Sequence, residues 1–120
     1  MREAGHAAAR SQADATLGLL RDLMRLDRSI SVREAVVLLL TGLNPGLSLS
    51  EIAWEMEEPP YAATRAVATL SRLGEAAVGE GLLRVVPCPR NRRIRQVFPT
   101  ESGRRLLAAR GIAPTGRRAA

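Results

Sequence analysis

Apolar residues recur at helical spacing over the first two thirds of the chain and in short runs after that. Between residues 12 and 30 they form two adjacent stripes on one helix, which Ser11 or Asp14 is predicted to cap after a disordered segment 1–10. A lone helix on a small domain cannot bury both stripes, so this helix is either sandwiched within the fold or packed against a partner chain. One stripe is Leu17, Leu20 and Met24, and the other is Leu19, Leu23, Leu26 and Ile30.

Two capping boxes predict the next two helices. Ser31 stands three residues before Glu34 at the head of an apolar run, and Ser48 stands three residues before Glu51. In such a pair each side chain bonds the backbone N–H of the other residue, which fixes the start of a helix. The turn at residues 42–46, with its Gly, Asn and Pro, separates the two helices.

Pro59 and Pro60 end the second of these helices and begin another over residues 61–73, which Gly74 ends. Two short helices with a tight break predict a helix-turn-helix. The later helix has an apolar face and a face of small polar residues and arginines; such a face suits the reading of base edges, although a solvated surface is the alternative. The predicted buried face is Ala63, Ala66, Val67, Leu70 and Leu73, and the predicted exposed face is Tyr61, Thr64, Arg65, Ala68, Thr69 and Arg72.

After Gly74, short apolar runs on both sides of an arginine-rich turn predict a β-hairpin. Thr100 then opens a final helix over residues 104–110, which Gly111 ends. The whole order predicts a mainly α fold with a small β-hairpin, a winged helix-turn-helix of the α+β class. The strand residues are Leu82, Leu83, Val85 and Val86 before the turn, and Ile94, Val97 and Phe98 after it.

Charge is strongly polarised along the chain. Residues 1–80 carry eight arginines and eleven acids, a net charge of −3, whereas residues 81–120 carry ten arginines and one acid, a net charge of +9. Four of these arginines lie within residues 90–95, and a turn that concentrates positive charge is typical of a contact with phosphate. Three aromatic residues are too few for the base stacking of single-strand binders. The pattern therefore favours a nucleic-acid partner.

The sequence offers no constellation of catalytic or metal-binding residues, and we expect neither an enzyme nor a cofactor. His6 is the one histidine, Glu57 and Glu58 are adjacent and would point apart on a helix, and no metal-ligand spacing occurs. The one cysteine, Cys88, is either an inert packing residue or a redox-sensitive thiol. No apolar run is long enough to span a membrane and no signal peptide is evident, so we expect a cytoplasmic protein without a membrane partner.

The segment from residue 88 to residue 103 reads Cys-Pro-Arg-Asn-Arg-Arg, a strand, and Thr-Glu-Ser-Gly. Together with the helix order, it resembles the winged-helix transcription regulators of the MarR family over residues 31–108, and residues 49–53 look like the opening of that family's first motif helix. Cys88 and Asn91 stand where the family has acids, so the ion pairs of the wing are missing here or replaced by hydrogen bonds. The matching wing positions are Pro89, Arg90, Arg92, Arg93, Thr100, Glu101 and Gly103.

The resemblance implies a regulator of transcription, a repressor, that binds specific double-stranded DNA as a homodimer and responds to a small phenolic or anionic effector. The second motif helix would enter the major groove, and the wing, 87–95, would lie on phosphate or in the minor groove. Helix 12–30 would dimerise within a domain 11–110, followed by a disordered basic tail 111–120. The DNA-binding residues would be Thr64, Arg65, Thr69, Arg72, Arg90, Arg92, Arg93 and Arg95, and the dimerisation residues Leu17, Leu20, Leu23 and Met24.

Acidic residues on and after the first motif helix leave a second function open. Because acids close to a DNA backbone are unfavourable, this winged helix would instead be a protein–protein interaction module that does not bind DNA specifically. Its contact surface would then be the acidic half of the chain and the striped helix. The acids are Glu51, Glu55, Glu57 and Glu58.

Overall fold

The computed structural model describes residues 2–115, without the side chains of residues 2–4 and 6. Over that range the chain forms six helices and one three-stranded sheet. In chain order these elements are α1 Arg2–Leu26, α2 Val32–Leu43, β1 Leu47–Ser48, α3 Leu49–Met56, α4 Pro60–Leu70, α5 Glu75–Val78, β2 Leu83–Pro87, β3 Arg95–Pro99 and α6 Glu101–Ala108.

Both predicted capping boxes are present. At the start of α2 the Glu34 N–H donates to Ser31 Oγ at 3.1 Å, and the Ser31 N–H donates to Glu34 Oε1 at 2.9 Å. The same reciprocal pair joins Ser48 and Glu51 at the start of α3, at 3.0 Å in each direction. Helix α3 ends at Glu57, whose φ of 54° is left-handed, and the chain then turns into α4. Local sequence therefore sets the boundaries of the helix-turn-helix.

The sheet has the order β1-β3-β2, and both pairings are antiparallel. Strands β2 and β3 form the predicted hairpin, whereas β1 was not predicted. Strand β1 consists of two residues, with Leu47 opposite Val97 and Ser48 opposite Gln96. This short pairing holds the first residues of α3 beside the hairpin.

The start of α1 corrects the sequence prediction. Residues 2–10, predicted to be disordered, belong to the helix, which begins at Arg2 and not after Ser11 or Asp14. Alanine has the highest helix propensity and residues 2–10 contain no proline, so the helix extends through this alanine-rich segment despite Gly5. At the other end residues 112–115 have irregular backbone, and the remainder of the predicted tail lies outside the described residues.

Three smaller elements also differ from the prediction. Helix α4 ends at Leu70 and not at residue 73, since a turn follows it, and α6 begins at Glu101 directly after Thr100. Helix α5, between two glycines with left-handed backbone, was not predicted at all. Among the helices of residues 2–115, none is long and apolar enough to cross a membrane.

The two apolar stripes of α1 differ in solvent exposure. Leu19 and Leu23 are fully buried in the core of the chain itself, whereas Leu17, Leu20 and Met24 are 46%, 39% and 47% exposed. The helix is thus packed on its own domain through Leu19 and Leu23 and leaves the other stripe in solvent, together with Leu26, which is 43% exposed. Leu23, predicted to be a dimerisation residue, has its side chain enclosed by its own fold.

A buried hydroxyl joins the end of the hairpin to the helices around it. Thr100 Oγ1 donates to the Gly81 carbonyl at 2.6 Å and accepts from the Gly103 N–H at 3.0 Å. The Thr100 N–H donates to the Leu82 carbonyl at 3.0 Å, and the Leu82 N–H donates to the Leu70 carbonyl at 2.8 Å. We call these five residues the Thr100 junction; it connects the end of α4, both hairpin strands and the start of α6.

Two positions of the Thr100 junction accept only glycine. A Cβ on Gly81 would overlap the backbone carbonyl of Ser71, and a Cβ on Gly103 would overlap the backbone carbonyl of Leu82. Because both obstacles are backbone atoms, neither can turn aside as a flexible side chain would. The close approach of these segments therefore depends on the absence of side chains.

Replacing Thr100 with Val should lower the free energy of unfolding by roughly 1–3 kcal/mol, because the buried Gly81 carbonyl and Gly103 N–H lose their partner. Thr100→Ser, which keeps the hydroxyl, should lose less than half of that amount. Urea denaturation followed by circular dichroism measures both. Equal stability of the Val variant and the wild type would contradict the role given to the hydroxyl.

An ion pair fastens α1 to the segment after α6. Arg110 Nε and Nη2 donate to the two carboxylate oxygens of Asp22 at 2.7 and 2.8 Å. The hydrogen bond from Arg110 lowers the pKa of Asp22 below its ordinary value of 3.8. Gly18 makes room for this geometry, since a Cβ there would run into the Arg110 guanidinium. The N-terminal helix is therefore attached to the rest of the domain by charge as well as by its apolar stripe.

The stability of the chain should fall as pH drops through the lowered pKa of Asp22. A carboxylate with a lower pKa in the folded chain than in the unfolded chain stabilises the fold above pH 3.8, and this contribution disappears as the folded group becomes protonated. Asp22→Asn should lower the melting temperature at neutral pH, and its difference from wild type should vanish in acid. Asp14→Asn, on an exposed position of α1, is the control. A pH-independent difference would contradict the assignment.

Candidate nucleic-acid interface

Helix α4 has the two faces that the sequence predicted. The predicted apolar residues are all buried, and Thr64, Arg65 and Arg72 are exposed, with Thr69 partly so. Arg72 lies in the turn after the helix. The Thr64 hydroxyl donates to the Pro60 carbonyl at 3.0 Å, which leaves its oxygen lone pair and methyl group for an external contact. The exposed face is therefore shallow, polar and positively charged.

An ion pair holds the start of α4 against α2. Arg33 Nε and Glu58 Oε1 are 2.6 Å apart, and this hydrogen bond lowers the pKa of Glu58. Between the two helices runs a groove of about 490 Å³, which Arg65 and Thr69 line together with the ion pair and Tyr61. Sequence reasoning could not find this pair, because Arg33 lies in α2 and Glu58 lies far along the chain, in the turn between α3 and α4.

The tip of the hairpin is a compact turn. The Cys88 N–H donates to the Ile94 carbonyl at 2.8 Å, and the Ile94 N–H donates to the Asn91 carbonyl at 2.9 Å. The Asn91 side chain accepts from the Arg93 N–H at 3.1 Å. The Asn91 side chain thus bonds the backbone of the turn, and the arginine side chains stay exposed outside it.

The four arginines of the wing are exposed, and within residues 2–115 no carboxylate forms a salt bridge with any of them. The same range pairs Arg25, Arg33, Arg105 and Arg110 with acids. The wing therefore presents positive charge that the chain does not neutralise. These arginines are Arg90, Arg92, Arg93 and Arg95.

Two further residues belong to this region although the sequence analysis did not select them. The guanidinium of Arg84 lies 5.2 Å from the ring centre of Phe98, across the hairpin. Ser50, on the first turn of α3, lies beside the wing in a groove of about 350 Å³. The strand pairing of β1 brings Ser50 there, and a two-residue strand leaves no periodic signal in a sequence. The groove is lined by Ser48, Leu49, Ser50, Arg93, Ile94 and Arg95.

The acidic residues near α3 are not all available to a partner. Glu51 completes the capping box of α3, and Glu58 pairs with Arg33. Glu55 and Glu57 are exposed, and Trp54, which directly precedes Glu55 near the end of α3, is 82% exposed. In the part of the chain that the structure describes, no group of three His, Cys, Asp or Glu side chains is placed to hold a metal ion.

A helix-turn-helix followed by a two-stranded wing, with a third short strand at the base of the wing, defines the winged-helix fold. The fold class predicted from the sequence is therefore confirmed. No protein-family profile and no curated protein sequence matches the chain.

Solved structures do match it, and among them are regulators of the MarR family, so the resemblance seen in the sequence is confirmed in the fold. Streptococcus pneumoniae FabT in complex with DNA has a TM-score of 0.60 and 18% identity, over 92% of this chain and 72% of that one. The MarR family transcription regulator SP03579 has a TM-score of 0.59 and 17% identity, over 92% and 67%. The S. aureus MepR–DNA complex has a TM-score of 0.57 and 18% identity, over 90% and 76%.

Proposed function

We propose that the chain is a transcriptional regulator that binds specific sequences of double-stranded DNA. The observation that carries this proposal is the wing, whose four arginines are exposed and have no acidic partner within residues 2–115. Charge left uncompensated on a hairpin after a helix-turn-helix is suited to phosphate. Two similar structures, those of FabT and MepR, contain DNA, which supports the same use of the fold here.

In this proposal α4 enters the major groove and supplies the base contacts. Arginine donates two parallel hydrogen bonds to guanine, and a threonine contacts a base through its hydroxyl or its methyl group. The small residues beside them, such as Ala68, allow the helix to approach the base edges closely. We assign these contacts to Thr64, Arg65, Thr69 and Arg72.

The wing arginines lie on phosphates or in a narrow minor groove, where guanidinium groups bind favourably. We assign this role to Arg90, Arg92, Arg93 and Arg95. We further propose that the protein acts as a repressor, because a regulator seated on duplex DNA blocks access to the sequence that it covers. We also propose that the protein binds an effector, lies in the cytoplasm and acts without a cofactor. We propose that it is not an enzyme, and the similarity of its fold to transcription regulators supports this.

Replacing Arg92 and Arg93 together with Ala should flatten the salt dependence of DNA binding. Each phosphate contact contributes about 0.9 to the slope of log K against log salt concentration, so the slope should fall by about 1.8. The measurement is a titration of labelled duplex by fluorescence anisotropy at several salt concentrations.

The matched control is Arg10→Ala with Arg28→Ala, which removes the same charge from exposed positions outside the hairpin and helix-turn-helix. That variant should keep most of the wild-type slope. An unchanged slope in the Arg92 and Arg93 variant would contradict the assignment of the wing to phosphate.

We also propose that the exposed stripe of α1 joins two copies of the chain. Leu17, Leu20 and Met24 place three large apolar side chains on one side of a helix that its own fold does not cover. Burial of such a stripe against an identical stripe is favourable, and a symmetric dimer would then present two copies of α4 to the two half-sites of a palindrome. Selection of binding sites from random duplexes would reveal that symmetry.

Replacing Leu20 and Met24 with Glu should raise the dissociation constant of the dimer by roughly 100-fold and leave the monomer folded, because both positions are exposed in it. Sedimentation equilibrium measures the change. Val78→Glu, at another exposed apolar position, is the control. Leu23→Ala should instead lower the free energy of unfolding by about 2–5 kcal/mol, as expected of a core residue. A dimer that tolerates both Glu substitutions would contradict the interface.

A second candidate function rests on Trp54. An 82% exposed tryptophan beside Glu55 and Glu57 is unusual on a surface that binds nothing, and it favours a protein–protein interaction module that does not bind DNA specifically. Gel filtration with and without duplex DNA separates the two functions. The protein-interaction function would be favoured if no duplex changed the elution volume of the chain and the chain formed a complex with another purified protein.

A further inference from the structure

The groove between α3 and the wing brings together residues from two distant parts of the chain. Ser48 pairs with Gln96 across β1 and β3, so the residues that follow Ser48 run past Arg95 in the antiparallel direction. Leu49 and Ser50 therefore form one wall of the groove, and Arg93, Ile94 and Arg95 form the other. The groove has a volume of about 350 Å³ and opens to solvent.

Its polar groups have free binding capacity. Arg93 and Arg95 are exposed and have no salt bridge to a described carboxylate. The Ser50 hydroxyl is exposed and has no side-chain hydrogen bond within the described part of the chain, whereas Ser48 uses its hydroxyl oxygen to accept from the Glu51 N–H. Two arginines and a serine with an unused hydroxyl therefore line one small space, and no acidic side chain lines it.

We propose that this groove binds one phosphodiester of the DNA strand that passes from α4 to the wing, with Ser50 and Arg95 as the phosphate ligands. The proposal rests on the proposed DNA-binding function and names a contact that the arginine pattern alone does not include. A tetrahedral anion accepts hydrogen bonds in several directions, so a guanidinium on one wall and a hydroxyl on the other can bind the same group. Leu49 and Ile94 offer apolar surface to the adjoining sugar.

The groove also fixes where the strand runs relative to both reading elements. Ser50 belongs to the first motif helix and Arg95 to the wing, so a phosphate held by both cannot shift along one without leaving the other. A contact of this kind sets the register of the protein on the duplex and carries no sequence information of its own. The affinity for any duplex, specific or not, should therefore depend on Ser50.

Ser50→Glu tests the proposal with a mixed-sequence duplex and fluorescence anisotropy. The added carboxylate should repel the phosphate and lower the affinity by roughly 10- to 100-fold. An acid in the first turn of a helix interacts favourably with the helix dipole, so the variant should melt at the wild-type temperature or above it. Ser11→Glu, on exposed α1, is the matched control and should change the affinity by less than about 2-fold.

Ser50→Ala tests the contribution of the hydroxyl without changing the charge of the groove. Loss of a hydrogen bond to an anion should lower the affinity by about 5- to 10-fold without changing the salt slope, whereas Arg95→Ala should lower the slope by about 0.9. In the double variant the two losses should be less than additive, because both residues bind the same phosphate. Full additivity would overturn the shared contact.

The outcomes distinguish this proposal from the function on which it rests. If the wild-type chain binds no duplex, the proposed function itself fails. If it binds duplex and Arg65→Ala with Arg72→Ala weakens binding, while Ser50→Glu binds as the wild type does, the groove proposal alone is overturned. Inorganic phosphate probes the other source of the same anion. Calorimetric binding of inorganic phosphate that Ser50→Glu abolishes, with unchanged duplex affinity, would overturn the assignment to DNA.

Discussion

The buried hydroxyl of Thr100 lies where the end of α4, the hairpin and the start of α6 meet. It bonds to the segment that enters β2 and to the first turn of α6, while the backbone around it reaches the end of α4. Since Gly81 and Gly103 let these segments approach to backbone contact, the position of the wing relative to α4 is set by backbone contacts and not by side chains that can change rotamer. The Thr100 junction therefore holds α4 and the wing at a fixed separation.

Signals that are local in the sequence predicted the fold well. The two serine–glutamate pairs, the double proline and the alternating faces of α4 each depend on residues within one or two turns of one another. The wing could also be predicted from the sequence, because its arginines and the apolar runs that flank them are contiguous. What the sequence could not show were contacts between distant segments. The pairing of β1 with β3, and the ion pairs Arg33–Glu58 and Asp22–Arg110, have no signature in any short window.

The first helix shows the same limit in another form. Two apolar stripes of similar strength leave open which one the domain covers, because periodicity describes a helix and not its neighbours. In the structure the domain covers Leu19 and Leu23, and the ion pair between Asp22 and Arg110 keeps this side of α1 against the domain. The exposed stripe is consequently held in a fixed direction relative to α4 and the wing. If two chains associate through it, the distance between their two α4 helices depends on this ion pair and on the packing beside it.

The exposure of Trp54 has a consequence for how the chain is studied. It is the one tryptophan of the protein, and in the folded chain it is already 82% accessible to water. Its intrinsic emission should therefore change little between the native and the unfolded chain, so that a loss of structure leaves this optical signal almost constant. The same indole, isolated on the rim of α3, should respond to any molecule that covers it. The tryptophan of this protein is thus a reporter of contact at one surface and a poor reporter of folding.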